Sequence, residues 1–168
     1  MRSYFYLRNI IAGSLILILF SSCVPGTYLH KLPSSYFQYQ HNTKPAISAH
    51  RGGGDYFGYP ENCVESFSWL SKQMPVIIEC DVRMTNDSVL VMMHDDNYNR
   101  TTTGKGKISD SSYAYSQTVL LKDNLGSLTK YKVPTLDQVL NWGKDKVAYT
   151  LDIKRGVPFE KVIALIQQ

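Results

Sequence analysis

The sequence predicts an α/β fold: a TIM-type (β/α)8 barrel, present as about its first half. Three observations carry that expectation. From residue 45 onward, strand-like runs alternate with capped amphipathic segments. In three of the strands the polar face carries chemistry near the carboxyl end, at His50, at Glu79 with Asp81, and at Asp152 with Lys154, which is where the active sites of such barrels form. The chain beyond its leader has about 145 residues, against roughly 250 for a whole barrel.

The elements follow in order. Residues 45–50 read as a first strand, with Ile47 and Ala49 on the buried side and Ala46, Ser48 and His50 on the other. His50 and Arg51 then enter Gly52, Gly53 and Gly54, where the backbone can turn sharply and approach a ligand. Asn62 is the expected N-cap of a first helix, with Glu65 completing a capping-box-like pair. Cys63, Phe67, Leu70 and Met74 recur at helical spacing, and Pro75 ends the run. Residues 76–84 form a second strand, with Val76, Ile78, Cys80 and Val82 on one face and Ile77, Glu79, Asp81 and Arg83 on the other. The link to a third strand at residues 89–94 is too short for a parallel crossover, so the two make a hairpin. A two-residue turn at Asn86-Asp87 would set Glu79 opposite His94, and a three-residue loop would shift that pairing by one.

Residues 97–132 are polar and irregular, a length of loop that is usually either functional or mobile. Thr135, with Gln138 three residues on, opens a second capped helix carrying Leu136, Val139 and Leu140, and Gly143 closes it. Residues 147–154 give another strand, with Val147, Tyr149, Leu151 and Ile153 opposite Thr150, Asp152 and Lys154. Phe159, Val162, Ile163 and Ile166 mark a further amphipathic helix.

The first residues do not read as fold. Arg2 and Arg8, an apolar run from Ile10 to Phe20, then Ser21-Ser22-Cys23 have the layout of a secretory signal. The run is shorter than the 20 or so residues a membrane span needs. Residues 1–22 are thus expected to be a signal peptide, residues 23–44 a tether, and residues 45–168 the partial barrel domain. The small pair before Cys23 resembles a bacterial lipoprotein signal, which implies a lipidated Cys23 and an exported protein anchored at the cell envelope. The net charge of +4 is mild and spread out; it suits an anionic substrate or a lipid surface and does not argue for nucleic acid. Cys63 and Cys80 make no disulfide framework and no zinc spacing.

Taken singly, each chemical signal has an ordinary structural explanation: a strand-to-helix turn, a solvated strand face, an ion pair. Together, two histidines, three carboxylates and two cations at strand ends point to phosphodiester cleavage. Arg51, Lys154 and a divalent ion could absorb the charge that grows on the non-bridging oxygens. Three carboxylates without a Cys or His cage suit a hard cation, Ca²⁺ or Mg²⁺. Two histidines can divide base and acid roles.

These segments, "HRGG" at 50–53, "PEN" at 60–62, "IECDVRMTNDSVLVMMHDDNYNRTTTGKGKI" at 78–108, "VPTL" at 133–136 and "LDIK" at 151–154, resemble the glycerophosphodiester phosphodiesterase family. The resemblance implies a TIM barrel and hydrolysis of glycerophosphodiesters to glycerol 3-phosphate and an alcohol. It implies His50 and His94 as the acid–base pair, Glu79, Asp81 and Asp152 as metal ligands, and Arg51, Glu61 and Lys154 near the substrate. Asp152 stands where the family usually has the longer Glu. The attacking group it implies is the substrate's own 2-hydroxyl. Two other functions fit the same residues: a phospholipase C- or D-like enzyme acting on intact lipid, and a non-catalytic envelope lipoprotein that only binds its ligand. An incomplete barrel would also leave sheet edges and core open, so a longer native product, or a poorly stable and weakly active fragment, is expected.

Overall fold

One eight-residue strand, β2 (Ile77–Met84), organises the sheet. Along one edge it pairs in parallel with β4 (Ala148–Ile153), so that Asp81 lies opposite Asp152. Its other edge is divided. β1 (Ser48–Ala49) runs parallel to its start, at Ile77 and Ile78, and β3 (Leu90–Met92) runs antiparallel to its end, from Val82 to Met84. Between the two, the edge of β2 is open to side chains arriving from loops. Among the described residues the α-helices are α1 (Val64–Ser71), α2 (Tyr113–Ser116), α3 (Leu136–Gly143) and α4 (Phe159–Ile166). This computed structural model describes residues 46–53 and 55–168. The expected signal peptide, tether, Cys23, Pro45 and Gly54 lie outside the described residues.

The period-two pattern of β2 is realised as read. Val76, Ile78, Cys80 and Val82 are buried in one core with Phe67 and Leu70 of α1, Leu90 and Met92 of β3, Leu136 and Val139 of α3, and Val162 of α4. Burying each of the larger aliphatic or aromatic groups contributes about 1.5–3 kcal/mol. Cys80 packs there as a small hydrophobe, fully buried, with burial pushing its thiol pKa far up. The Thr135–Gln138 capping box of α3 forms in both directions. The Tyr149 hydroxyl then donates to the Val139 carbonyl at 2.7 Å and ties β4 to that helix. No helix among the described residues is long and apolar enough to cross a membrane.

Several local expectations are corrected. The first strand is only two residues long, and Ile47 is half exposed while Ala49 is buried. His50 opens a 3-10 turn, His50–Gly52, instead of ending the strand. Asn62 does not cap α1: Cys63 holds that position without a side-chain bond to a helix amide, and Asn62 takes a left-handed φ of 55°. The helix stops at Ser71, before Pro75, so Met74 falls outside it and is exposed. The hairpin loop has three residues, since Met84 pairs with Leu90 and the Thr85 amide donates to the Val89 carbonyl. That moves the register by one, and His94 is not opposite Glu79. Ser88, in that loop, supplies the positive φ of 66°.

The irregular segment is neither empty of structure nor without a core. Tyr98, Ile108, Val119, Leu121 and Val133 are buried together with Cys63, Val91 and Met93. The buried Tyr98 hydroxyl is satisfied by Ser111 and Ser116 at 2.9 and 2.7 Å. This second cluster packs loop residues against β3 and the start of α1, and so fixes the chain on both sides of His94.

Gly52 allows a sharp test of how the first turn is built. It has φ of 81°, and a Cβ there would collide with the Phe67 ring; Gly58 has φ of 79° and open space around it. Gly52→Ala should therefore cost both backbone strain and overpacking, on the order of 3 kcal/mol. Gly58→Ala should cost only the strain, about 1 kcal/mol. Denaturant midpoints at constant slope would show the difference, and equal losses would contradict it.

Candidate active site

The site forms at the open stretch of β2. Glu79 and Asp81 project from the face opposite the core, and Asp152 stands beside Asp81 on β4. One carboxylate oxygen from each of Glu79, Asp81 and Asp152 lies within 4.8 Å of the others. The three expected metal ligands are thus brought together, and an all-oxygen cluster of this kind could hold a hard cation.

Asp81 is the deepest of the three, with 1% of its side chain exposed. Its oxygens accept from Asn62 Nδ2 at 2.8 Å and from Lys154 Nζ at 2.7 Å. Its own amide donates to Asn62 Oδ1 at 2.9 Å, so one asparagine clasps Asp81 from both main chain and side chain. The left-handed backbone of Asn62 presents the amide for that clasp, and Asn is among the few residues that adopt it readily. Lys154 also donates to Asp152 at 2.6 Å. That bond holds the Asp152 carboxyl below the usual carboxylate range. Burial alone would lower the Lys154 ammonium pKa, but its bonds to Asp152 and Asp81 raise it. Asp152 itself is half exposed.

Arg51 serves through both backbone and side chain. Its amide donates to Glu79 Oε2 at 2.7 Å, which its φ of 54° makes possible. NH1 donates to Glu61 Oε2 at 3.1 Å, and Nε, 3.9 Å from Asp81 Oδ2, is buried without a hydrogen-bond partner. Glu61 is almost wholly buried, and what the structure gives it is two arginines, Arg51 and Arg100. His50 is exposed and makes no side-chain hydrogen bond among the described residues.

His94 follows β3 by two residues. Arg83 clamps its carbonyl through Nε and NH2 at 3.0 and 2.7 Å, and its Nδ1 meets Asp95 Oδ1 at 2.9 Å. Asp95 in turn is bound by Arg100 through two parallel bonds of 2.8 and 2.9 Å. Sequence reasoning missed Asn62 as a carboxylate clasp and gave no role to Asp95, Arg100 or Arg83, though it set Arg83 on the polar face of β2 with Glu79 and Asp81. The one signal available was the string of charges directly after His94, which an ordinary turn would also show.

Arg100, and then His94, hold the Asp95 carboxyl well below the usual range despite some desolvation. A depressed carboxyl contributes stability above its unfolded pKa of about 3.9, and loses it as pH falls through the lower folded value. Asp95→Asn should therefore be less stable than the parent by about 1 kcal/mol near pH 7. The gap should close as pH falls from about 4 toward 2. Chemical unfolding of both proteins across that range measures it, and a gap independent of pH would contradict the assignment.

Comparison with known proteins finds relatives in both sequence and fold. The model of the glycerophosphoryl diester phosphodiesterase family matches residues 50–162. A glycerophosphoryl diester phosphodiesterase from Parabacteroides distasonis is similar in structure, with a TM-score of 0.74 and 42% identity over 79% of this chain and 46% of that one. A glycerophosphodiester phosphodiesterase from Agrobacterium tumefaciens gives a TM-score of 0.63 at 28% identity, over 74% of this chain and 53% of that one. In sequence, the glycerophosphodiester phosphodiesterase of Bacillus subtilis is 31% identical over 137 residues, 71% of this chain and 45% of the relative. The chain spans about half the length of the curated relatives it matches.

Proposed function

The chain belongs to the glycerophosphoryl diester phosphodiesterase family, and from that premise we propose that it carries the catalytic groups for hydrolysing glycerophosphodiesters to glycerol 3-phosphate and an alcohol. The observation that carries this reading is the convergence of Glu79, Asp81 and Asp152 beside Lys154 and Arg51. Phosphoryl chemistry needs positive charge around the non-bridging oxygens, held ready before the reaction. A divalent ion, Ca²⁺ or Mg²⁺, held by Glu79, Asp81 and Asp152 would supply Lewis-acid stabilisation of that charge.

The remaining work falls to the chain. Arg51 and Lys154 orient the phosphate; Arg51 has its buried Nε–H still to give. One of His50 and His94 takes the proton of the substrate's 2-hydroxyl as its oxygen bonds to phosphorus. The other gives a proton to the departing alcohol oxygen as the P–O bond breaks. Water then opens the resulting cyclic phosphate with the histidines exchanging roles. A nucleophile already joined to the substrate needs no nucleophilic side chain. In keeping with this, the two described thiols, Cys63 and Cys80, are buried, and burial pushes both far above the reactive range.

The full chain incubated with glycerophosphocholine should release glycerol 3-phosphate, and a chelator should abolish the release. His50→Ala and His94→Ala should each lower turnover about a hundredfold or more. Unchanged turnover in either variant would remove that histidine from the acid–base pair. Release from phosphatidylinositol instead would favour a lipid phosphodiesterase, and ligand binding without turnover a binding protein.

Export and anchoring form a second part of the proposal. Arg2, Arg8, the apolar run to Phe20 and Ser21-Ser22-Cys23 support lipidation of Cys23 and a place on the bacterial envelope. Labelled palmitate fed to a bacterial host should be incorporated into the chain and lost in Cys23→Ser. Equal labelling of both would contradict it.

A further inference from the structure

Arg100 has a place in the site that neither the histidine pair nor the carboxylate cluster accounts for. Its side chain is 46% exposed, yet four of its five N–H groups are committed. Nε and NH2 donate to the two oxygens of Asp95 at 2.8 and 2.9 Å. NH1 and NH2 donate to the two oxygens of Glu61 at 3.1 and 2.8 Å. One planar guanidinium therefore makes two forks, and NH2 serves both. Bidentate charge-assisted pairs of this kind fix geometry as well as supply energy.

Each carboxylate holds something further in. Asp95 Oδ1 meets His94 Nδ1 at 2.9 Å, and Glu61 Oε2 accepts from Arg51 NH1 at 3.1 Å. We propose that Arg100 is a positioning residue that sets the His94 ring and the Arg51 guanidinium in one rigid frame, through Asp95 and Glu61. This rests on the reading of His94 as one of the acid–base pair. An ionised carboxylate only accepts, so the ring hydrogen lies on Nδ1 and leaves Nε2 as the working nitrogen. Asp95 is partly exposed, and without Arg100 one bond to the ring would be all that orients it. Glu61 has 3% of its side chain exposed and would have only Arg51 to neutralise it. Both ends of the frame then loosen together. Lysine in place of Arg100 restores one point charge, but it cannot make two planar forks.

The test uses the full chain with Arg100→Gln, Arg100→Lys, Asp95→Ala and the double variant Arg100→Gln/Asp95→Ala. ¹⁵N NMR of the His94 ring nitrogens should show the Nδ1–H tautomer in the parent and a shift toward Nε2–H in Arg100→Gln and Asp95→Ala. Turnover in Arg100→Gln should fall about tenfold or more in kcat, with KM changed less than threefold. Arg100→Lys should recover part of the loss, and the double variant should lose less than the sum of the two single losses, because Asp95 lies on one of the two arms that Arg100 holds. An unchanged tautomer, a loss confined to KM, or full additivity would each overturn the proposal. If no substrate is turned over by any form, the functional reading fails, and the tautomer measurement alone decides this inference. If Arg100→Gln does not fold, Arg100→Lys carries the same measurement, with an unshifted tautomer and unchanged kcat as the overturning result.

Discussion

A carboxylate taken out of water costs several kcal/mol unless its lone pairs find donors, and Asp81 stands in the middle of β2 with 1% of its side chain exposed. Two donors meet this demand, Asn62 from the loop before α1 and Lys154 from the end of β4, and the Arg51 guanidinium approaches from the turn after β1 without a hydrogen bond to it. Each brings its own segment to the same spot. The two left-handed residues of the first loop that are not glycine, Arg51 and Asn62, are where the backbone bends to make these approaches. Backbone strain of about 1–3 kcal/mol per such residue is common at sites where the surroundings over-determine the geometry.

The sheet supplies the room. Because β1 ends at Ala49 and β3 begins to pair only at Val82, the edge of β2 beside Glu79 is free of a regular ladder. Into this gap Asn62 Oδ1 accepts from the Asp81 amide at 2.9 Å, and the amide of Met93 donates to the Asp81 carbonyl at 3.0 Å. Backbone groups that a neighbouring strand would have satisfied are instead satisfied by the segments that carry the site. The second core, around Tyr98 and Ile108, holds the far side of this arrangement and keeps residues 94–100 in place.

Features governed by short-range pattern were legible in the sequence. The alternation along β2, the capping box at Thr135 and Gln138, and the antiparallel turn after Met84 all depend on neighbours a few residues apart. The carboxylate triad was legible too, since the carboxyl ends of parallel strands converge in an α/β sheet. Asn62 was misread because the residue that best caps a helix is also one that accepts a left-handed backbone. Its real partner, Asp81, is 19 positions away. The hairpin register turned on whether Ser88 belonged to the turn, a difference of one residue that moves every cross-strand pair. Arg100 and Asp95 stand in a polar stretch with no periodicity, where nothing local marks the two charges as partners, or Arg100 as the partner of Glu61, 39 positions away.

β2 has one more property. Its pleat sends Glu79 and Asp81 to one side and Cys80, between them in the chain, into the core on the other. Hard oxygen donors and a soft sulfur donor are therefore consecutive in sequence and separated by the thickness of the strand. Cys80 cannot join the oxygen cluster while β2 stays paired with β4. The regular geometry of an extended chain thus keeps the two kinds of donor apart with no residue given over to that task.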